Sequence, residues 1–254
     1  MDIKMIVADL DHTLLRGDKT VSAYTADVLR RVRECGVLLA FATARDFRFV
    51  TEYITPLTGI RPDVLIADNG ALARYNSKDL YKKMIPSAAV NALMPRFKHV
   101  RCVSTENAYF LATEYARGHW SSGKKAAVIT DFAKAVEDDA FYLDGRIDVP
   151  SLRLLLAEYP DIRSVAYSDV DMVTIVHREA TKLNALIAVA TVLHISMDRV
   201  AAFGDDYSDV EMLAHCKHGV AVANAIDECK AAAKYICDTN ENDGVAKWVA
   251  QYIL

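Results

Sequence analysis

The sequence predicts a doubly wound α/β fold, a parallel sheet with helices on both faces, interrupted by an inserted α+β domain. Three observations predict it. Short, unbroken apolar runs alternate with amphipathic helical stretches over residues 1–78, and the same rhythm returns over 179–254. Between them, over 79–178, it gives way to hairpin-like strands rich in aromatic residues. Strands buried on both faces read as continuous apolar runs, and parallel neighbours need a crossover, usually a helix, between them.

Taken in order, residues 3–8 are an apolar run of strand length. Residues 22–35 put Val28, Leu29, Val32 and Cys35 on one helical face, with Ser22 placed to cap the helix and Gly36 to end it. Residues 37–43 read as a second buried strand, 46–55 as a helix stopped by Pro56, and 63–68 as a third strand. In the middle segment, 108–113 and the pair 163–167 and 172–176 read as strands, the pair joined by the turn-like "SDVD". Beyond it, 181–193 reads as a helix with Leu183, Leu186, Ile187, Ala190 and Leu193 on one face. A strand (199–203), a helix (207–216), a strand (218–223) and a closing helix (243–254) follow. The domains are therefore expected to be a core of 1–78 with 179–254, and an insertion of 79–178.

Composition narrows the function. Of the 254 residues, 52% are hydrophobic and 25% charged, an ordinary globular balance with room for a core and a second lobe. A net charge of −4 gives no overall attraction for nucleic acid or an anionic membrane, so neither is expected as a partner. No apolar run approaches the roughly 20 residues needed to span a bilayer, and an aspartate at position 2 does not suit a signal peptide. Five scattered cysteines (35, 102, 216, 229 and 237), with no C-x-x-C pair, suit a reducing cytoplasm and argue against disulfides or zinc.

In doubly wound sheets, ligands sit beyond the carboxyl ends of the strands. Asp9, Asp11 and Thr13 follow the first strand, Thr43 and Arg45 the second, and Asp68-Asn69-Gly70 the third. "GDDYSD", with Asp205, Asp206, Ser208 and Asp209, follows the strand at 199–203, and Lys182 opens the helix before it. Singly, such residues are caps, turn residues or solvated lysines. Capping does not account for five aspartates after two strands that are expected to lie close together. Like charges a few ångströms apart need a counter-charge, and hard carboxylate oxygens without histidine or thiolate select Mg²⁺. Such a site binds phosphate, with Thr43 donating to an oxygen and Lys182 neutralising the transferring group. One carboxylate near the metal could then attack phosphorus, and a second, two residues on, could move the proton.

These residues resemble the haloacid dehalogenase superfamily of phosphohydrolases, in its Cof-type branch. "DLDHT" matches D-x-D-x-T; Thr43, Lys182 and "GDDYSDVEML" supply the other three signatures in order. "FATAR", "DNGA" and "VANAIDECKAAAKYICDTNENDGVAKWV" resemble further segments of that branch. The resemblance implies a Rossmann-like, HAD-like core with an inserted α+β cap domain that sets substrate choice. It makes Asp9 the nucleophile and a Mg²⁺ ligand, and Asp11 the general acid/base that also lends its backbone carbonyl to the metal. Thr43 and Lys182 would bind the phosphoryl group, with Ala44 and Arg45 beside it, and Asn224 would lie near the phosphate pocket. Asp205 would ligate the metal, with Asp209 as a second acidic ligand, direct or through water. Two positions depart from the branch: Ser208 replaces the usual asparagine, and Ala44 the glycine after the threonine.

The function expected is a Mg²⁺-dependent phosphatase acting on a small phosphorylated metabolite, a sugar phosphate or a phosphorylated cofactor, through an aspartyl-phosphate. A sugar-phosphate phomutase would use the same intermediate. A receiver-like phospho-acceptor would be about half this length and carry its acceptor after the third strand. The basic stretch 117–125, "RGHWSSGKK", could face the cleft or be a solvated loop.

Overall fold

The computed structural model describes residues 1–115, 127–168 and 172–254. The basic stretch 117–125 and most of the "SDVD" turn lie outside the described residues. The chain forms two compact units, Met1–Tyr81 with Lys182–Leu254, and Lys82–Thr181.

The strands run in chain order as follows. β1 (Met5–Ala8), β2 (Leu38–Ala42), β3 (Val64–Ala67), β4 (Leu72–Tyr75) and β5 (Lys78–Lys82) come first. β6 (His99–Thr105), β7 (Tyr109–Ala112), β8 (Ala127–Thr130), β9 (Ala140–Arg146), β10 (Ile162–Ala166) and β11 (Val173–His177) follow. β12 (Val200–Gly204), β13 (His218–Val222) and β14 (Tyr235–Cys237) complete the chain. The first sheet has the order β14-β13-β12-β1-β2-β3-β4-β5. Its strands from β14 to β3 are parallel, and β4 turns back antiparallel along β3. β1, β3, β12 and β13 are buried at every position, as strands covered on both faces must be. The β4–β5 hairpin turns on Asn76 and Ser77, both at positive φ (48° and 67°), the backbone that matches strand twist in a two-residue turn.

Helix signals are borne out where the caps predicted them. The helix Ala23–Glu34 starts at Ser22, whose hydroxyl accepts from the Thr25 N–H at 2.9 Å, and buries Val28, Leu29 and Val32. One expectation is corrected. The helix after β2 does not stop at Pro56 but runs through Thr58, ending at Gly59 with φ 69°. A widened turn over Val50–Ile54 makes this possible: the Thr55 N–H bonds back to the Val50 carbonyl, five residues earlier. With the register already loosened there, and proline at the start of the last turn, the missing N–H costs little.

The second unit is built on a six-stranded sheet of order β10-β11-β9-β6-β7-β8, antiparallel except at β7–β8. Val103, Leu143 and Ile175 of its strands share an apolar cluster with Val90, Leu93 and Leu155 of the helices Ser87–Leu93 and Val149–Glu158. The second helix is capped by Asp148, which accepts from the Ser151 N–H at 3.0 Å.

Close approach of backbone to backbone fixes one glycine in the first unit. A Cβ on Gly219 of β13 would lie 2.0 Å from the Leu213 carbonyl oxygen, in the helix packed on that strand. Gly219→Ala is expected to lower the free energy of unfolding by about 1–3 kcal/mol. Urea denaturation checks this, and an unchanged midpoint at unchanged slope would contradict the packing.

Candidate active site

From β1 the chain winds outward through β2 and β3, whereas β12 continues to the opposite side through β13 and β14. β1 and β12 are thus the neighbours at which strand order reverses, where two crossovers diverge and leave a crevice. In register, Ala8 pairs with Phe203, so Asp9 and Asp205 leave adjacent strands at almost the same height.

The turn after β1 is unusual. Residues Leu10–Leu14 form one wide helical turn, with Asp11 extended (φ −70°, ψ 131°) and His12 at φ 59°. The Leu15 N–H closes it on the Leu10 carbonyl at 2.8 Å. This turn tucks Thr13 into the interior, where its hydroxyl donates to Asp205 Oδ1 at 2.5 Å and joins the two strand ends. Asn224 braces the same turn, donating to the His12 carbonyl at 2.7 Å and accepting from the Asn240 N–H at 3.1 Å.

Lys182, the first residue of the helix Lys182–Val192, is 2% exposed and bridges two carboxylates. Its ammonium donates to Asp9 Oδ1 and to Asp209 Oδ1, both at 2.8 Å. Asp209 is fully buried, and its other oxygen accepts from the N–H groups of Asp205 and Asp206 at 3.2 and 3.3 Å. Gly204 makes room for this: a Cβ there would meet the Cβ of Asp209 at 2.4 Å. Carboxylate oxygens of Asp9, Asp205 and Asp209 lie within 4.8 Å of one another.

The electrostatics follow from burial. Burial raises the pKa of Asp9 well above the ordinary range; Lys182 opposes this, and the charges of Asp209 and Asp205 add to it. Burial, then Asp209, push Asp205 up to about 6, although the Thr13 hydroxyl favours its anion. Burial alone would lower Lys182, but Asp209 and Asp9 outweigh it and hold the ammonium above its usual range. One ammonium therefore does not satisfy three carboxylates. The set is all hard oxygen, and a divalent cation such as Mg²⁺ fits it. Asp9, Asp205 and Asp209 each offer a carboxylate oxygen to such an ion.

Asp11 stands apart from this knot. Arg45 grips it with two nitrogens, Nε to Oδ2 at 2.5 Å and Nη2 to Oδ1 at 2.7 Å, and Lys19 donates to Oδ1 at 2.7 Å. The Arg45 guanidinium also lies 4.3 Å over the Phe49 ring. Burial would raise Asp11, but Arg45, then Lys19, overcome it and hold the carboxyl well below the usual range. Asp11 is thus held ionised.

Thr43, 1% exposed, follows β2, its hydroxyl accepting from the Arg45 N–H at 3.2 Å and its own N–H bonded to the Ile66 carbonyl at 2.8 Å. Ala44, half-buried, separates Thr43 from Arg45. Ser208 lies in the turn Tyr207–Asp209. The D-x-D-x-T pattern marks Thr13 but not its bond to Asp205, and no signature marks Lys19, which reaches the site from a loop.

Comparison with known proteins agrees with this geometry. Residues 6–249 match the family of haloacid dehalogenase-like hydrolases. The chain is 27% identical over 264 residues to the 5-amino-6-(5-phospho-D-ribitylamino)uracil phosphatase YitU of Bacillus subtilis (strain 168), covering 98% of this chain and 97% of that protein. It is also 27% identical over 260 residues to YcsE, a phosphatase of the same name from the same organism, covering 100% and 97%. Among solved structures, SMU.1108c from Streptococcus mutans UA159 superposes with a TM-score of 0.83 at 20% identity, covering 99% of both chains. The HAD subclass IIB sugar phosphatase BT4131 gives 0.81 at 21% identity, covering 98% of both, and these likenesses show the shared fold. With nearly the whole chain matched, the protein belongs to the haloacid dehalogenase-like hydrolases, in their Cof-type phosphohydrolase branch.

Proposed function

We propose that the protein is a Mg²⁺-dependent phosphatase that hydrolyses a small phosphorylated metabolite, a sugar phosphate or a phosphorylated cofactor, through an aspartyl-phosphate on Asp9. The observation that carries this reading is the meeting of Asp9, Asp205 and Asp209 around Lys182 at the β1–β12 crevice. The substrate class is supported by relatives named for a phosphoribityl compound and for sugar phosphates. On this reading Lys82–Thr181 is the family's cap domain, and its surface selects the leaving group.

Asp9 and Asp205, with the backbone carbonyl of Asp11, would hold Mg²⁺, with Asp209 as a further acidic ligand, direct or through water, that also orients Lys182 and the Asp205 backbone. When bound, the ion supplies positive charge that binds the phosphoryl oxygens and lowers the proton affinity of the carboxylates around it. Asp9 attacks phosphorus, the P–O ester bond breaks, and the leaving oxygen takes the electron pair and a proton from Asp11, which draws it from solvent. Lys182 and the Thr43 hydroxyl bind the transferring group. Water then attacks the phosphorus of the aspartyl-phosphate and gives its proton to Asp11. The P–O bond to Asp9 breaks, its electron pair returns to the Asp9 carboxylate, and phosphate leaves.

Asp9→Asn keeps the shape of the side chain and removes the nucleophile. It is expected to lower phosphate release from a panel of sugar phosphates and phosphorylated cofactors roughly 10³-fold or more, with the fold retained by circular dichroism. Near-full activity in the variant would overturn the mechanism.

The raised pKa of Asp205, about 6 against an ordinary 3.8, means that folding takes up protons between those values. The metal-free protein is therefore expected to melt higher at pH 5 than at pH 7. Mg²⁺ competes with the same proton, so it should raise the melting temperature more at pH 7 than at pH 5. Thermal melts in EDTA and in Mg²⁺ check this, and a Mg²⁺ effect that is absent or equal at both pH values would contradict the ligand set.

A further inference from the structure

Lys19 belongs to none of the four signatures, yet its ammonium reaches the carboxylate beside the nucleophile. An ionised carboxylate offers about four lone pairs, two on each oxygen. On Asp11, Oδ1 accepts from both Arg45 Nη2 and Lys19 Nζ, while among the described residues Oδ2 accepts from Arg45 Nε alone. The lone pair left open is on Oδ2.

The loop that carries Lys19 is fixed at several points. Lys19 has φ 69°, a left-handed backbone that a non-glycine residue adopts at some cost. The turn is closed by the Lys19 N–H on the Arg16 carbonyl and the Arg16 N–H on the Thr20 carbonyl, both at 2.9 Å. Asp18 accepts from the Thr20 N–H and hydroxyl, at 2.9 and 2.6 Å. Arg16 donates to Asp243 Oδ1 at 3.1 Å, and the Gly17 N–H to Glu241 Oε1 at 2.7 Å, tying the loop to the start of the closing helix. A loop held at both flanks aims one side chain, and the side chains of Lys19 and Asp11 are only 29% and 26% exposed. An exposed ion pair would need no such support.

We propose that Lys19 is a positioning residue for the second half of the reaction: by filling Oδ1 of Asp11 it makes Oδ2 the oxygen that accepts the proton of the attacking water. The inference rests on the reading of Asp9 as nucleophile and Asp11 as base. The transfer is balanced: the water oxygen bonds to phosphorus, its proton goes to Oδ2, and the electron pair of the breaking P–O bond returns to Asp9.

The test is the Lys19→Met variant with p-nitrophenyl phosphate, whose nitrophenolate departs without needing a proton. Stopped-flow release of nitrophenolate separates phosphorylation of the enzyme, seen as a burst, from its dephosphorylation, seen as the steady rate. The dephosphorylation rate constant is expected to fall about tenfold, a part of the 10²–10⁴ that a placed base supplies, while kcat/KM stays within about twofold and KM falls with kcat. A kcat/KM that falls in step with kcat would overturn the proposal by placing Lys19 in substrate binding or in the fold. No change in either would overturn it by making Lys19 a bystander. If Lys19→Met melts early, both rate constants are measured below its unfolding transition, where the same outcomes support or overturn the proposal. Failure of the underlying reading looks different: the unaltered protein would then release no nitrophenolate at all.

Discussion

The bridge from Lys182 to Asp9 and Asp209 is the interaction on which the rest of the site depends. Two buried carboxylates that share one ammonium repel each other and are costly to desolvate, and removing the cation would leave them uncompensated. The bridge keeps Asp9 in an ionic environment at the floor of the crevice, next to Asp205, while leaving the group short of positive charge. That shortage links structure to chemistry. On the proposed reading a divalent ion on these carboxylate oxygens would relieve it and present positive charge to phosphate.

Each element around the bridge is shaped by it. The wide turn after β1 carries the chain away from Asp9 while bringing Thr13 back to Asp205. Gly204 lacks a side chain because Asp209 occupies the space a Cβ would take, which lets that carboxylate accept two backbone N–H groups and aim its other oxygen at Lys182. Asp11, two residues from Asp9, is bonded to Arg45 and Lys19 instead, so the two aspartates sit in opposite electrostatic settings. On the proposed mechanism Asp9 attacks phosphorus and Asp11 moves the proton.

The α/β class was legible because strands buried on both faces, such as β1 and β3, leave unbroken apolar runs between amphipathic helices. The strand-end aspartates were legible because such charges contradict the burial around them. Less visible was anything set by long-range packing. Tyr235–Cys237 is a three-residue edge strand too short to carry a pattern, and its place is set by pairing with β13. Pro56 misled because the widened turn at Val50–Ile54 has no sequence signal of its own. Lys19 carries no sequence signal, since its aim comes from the contacts of Arg16 and Gly17 with Asp243 and Glu241, far along the chain.

The central claim is that the carboxylate bridged by Lys182 carries the phosphoryl group during turnover. Its most direct test is acid quenching of the enzyme during turnover of a phosphomonoester in Mg²⁺, followed by peptide mass spectrometry. The account predicts one phosphoryl group, on the peptide containing Asp9 and at that residue. A phosphoryl group on any other residue, or phosphate release with no phosphoenzyme at any quench time, would contradict it.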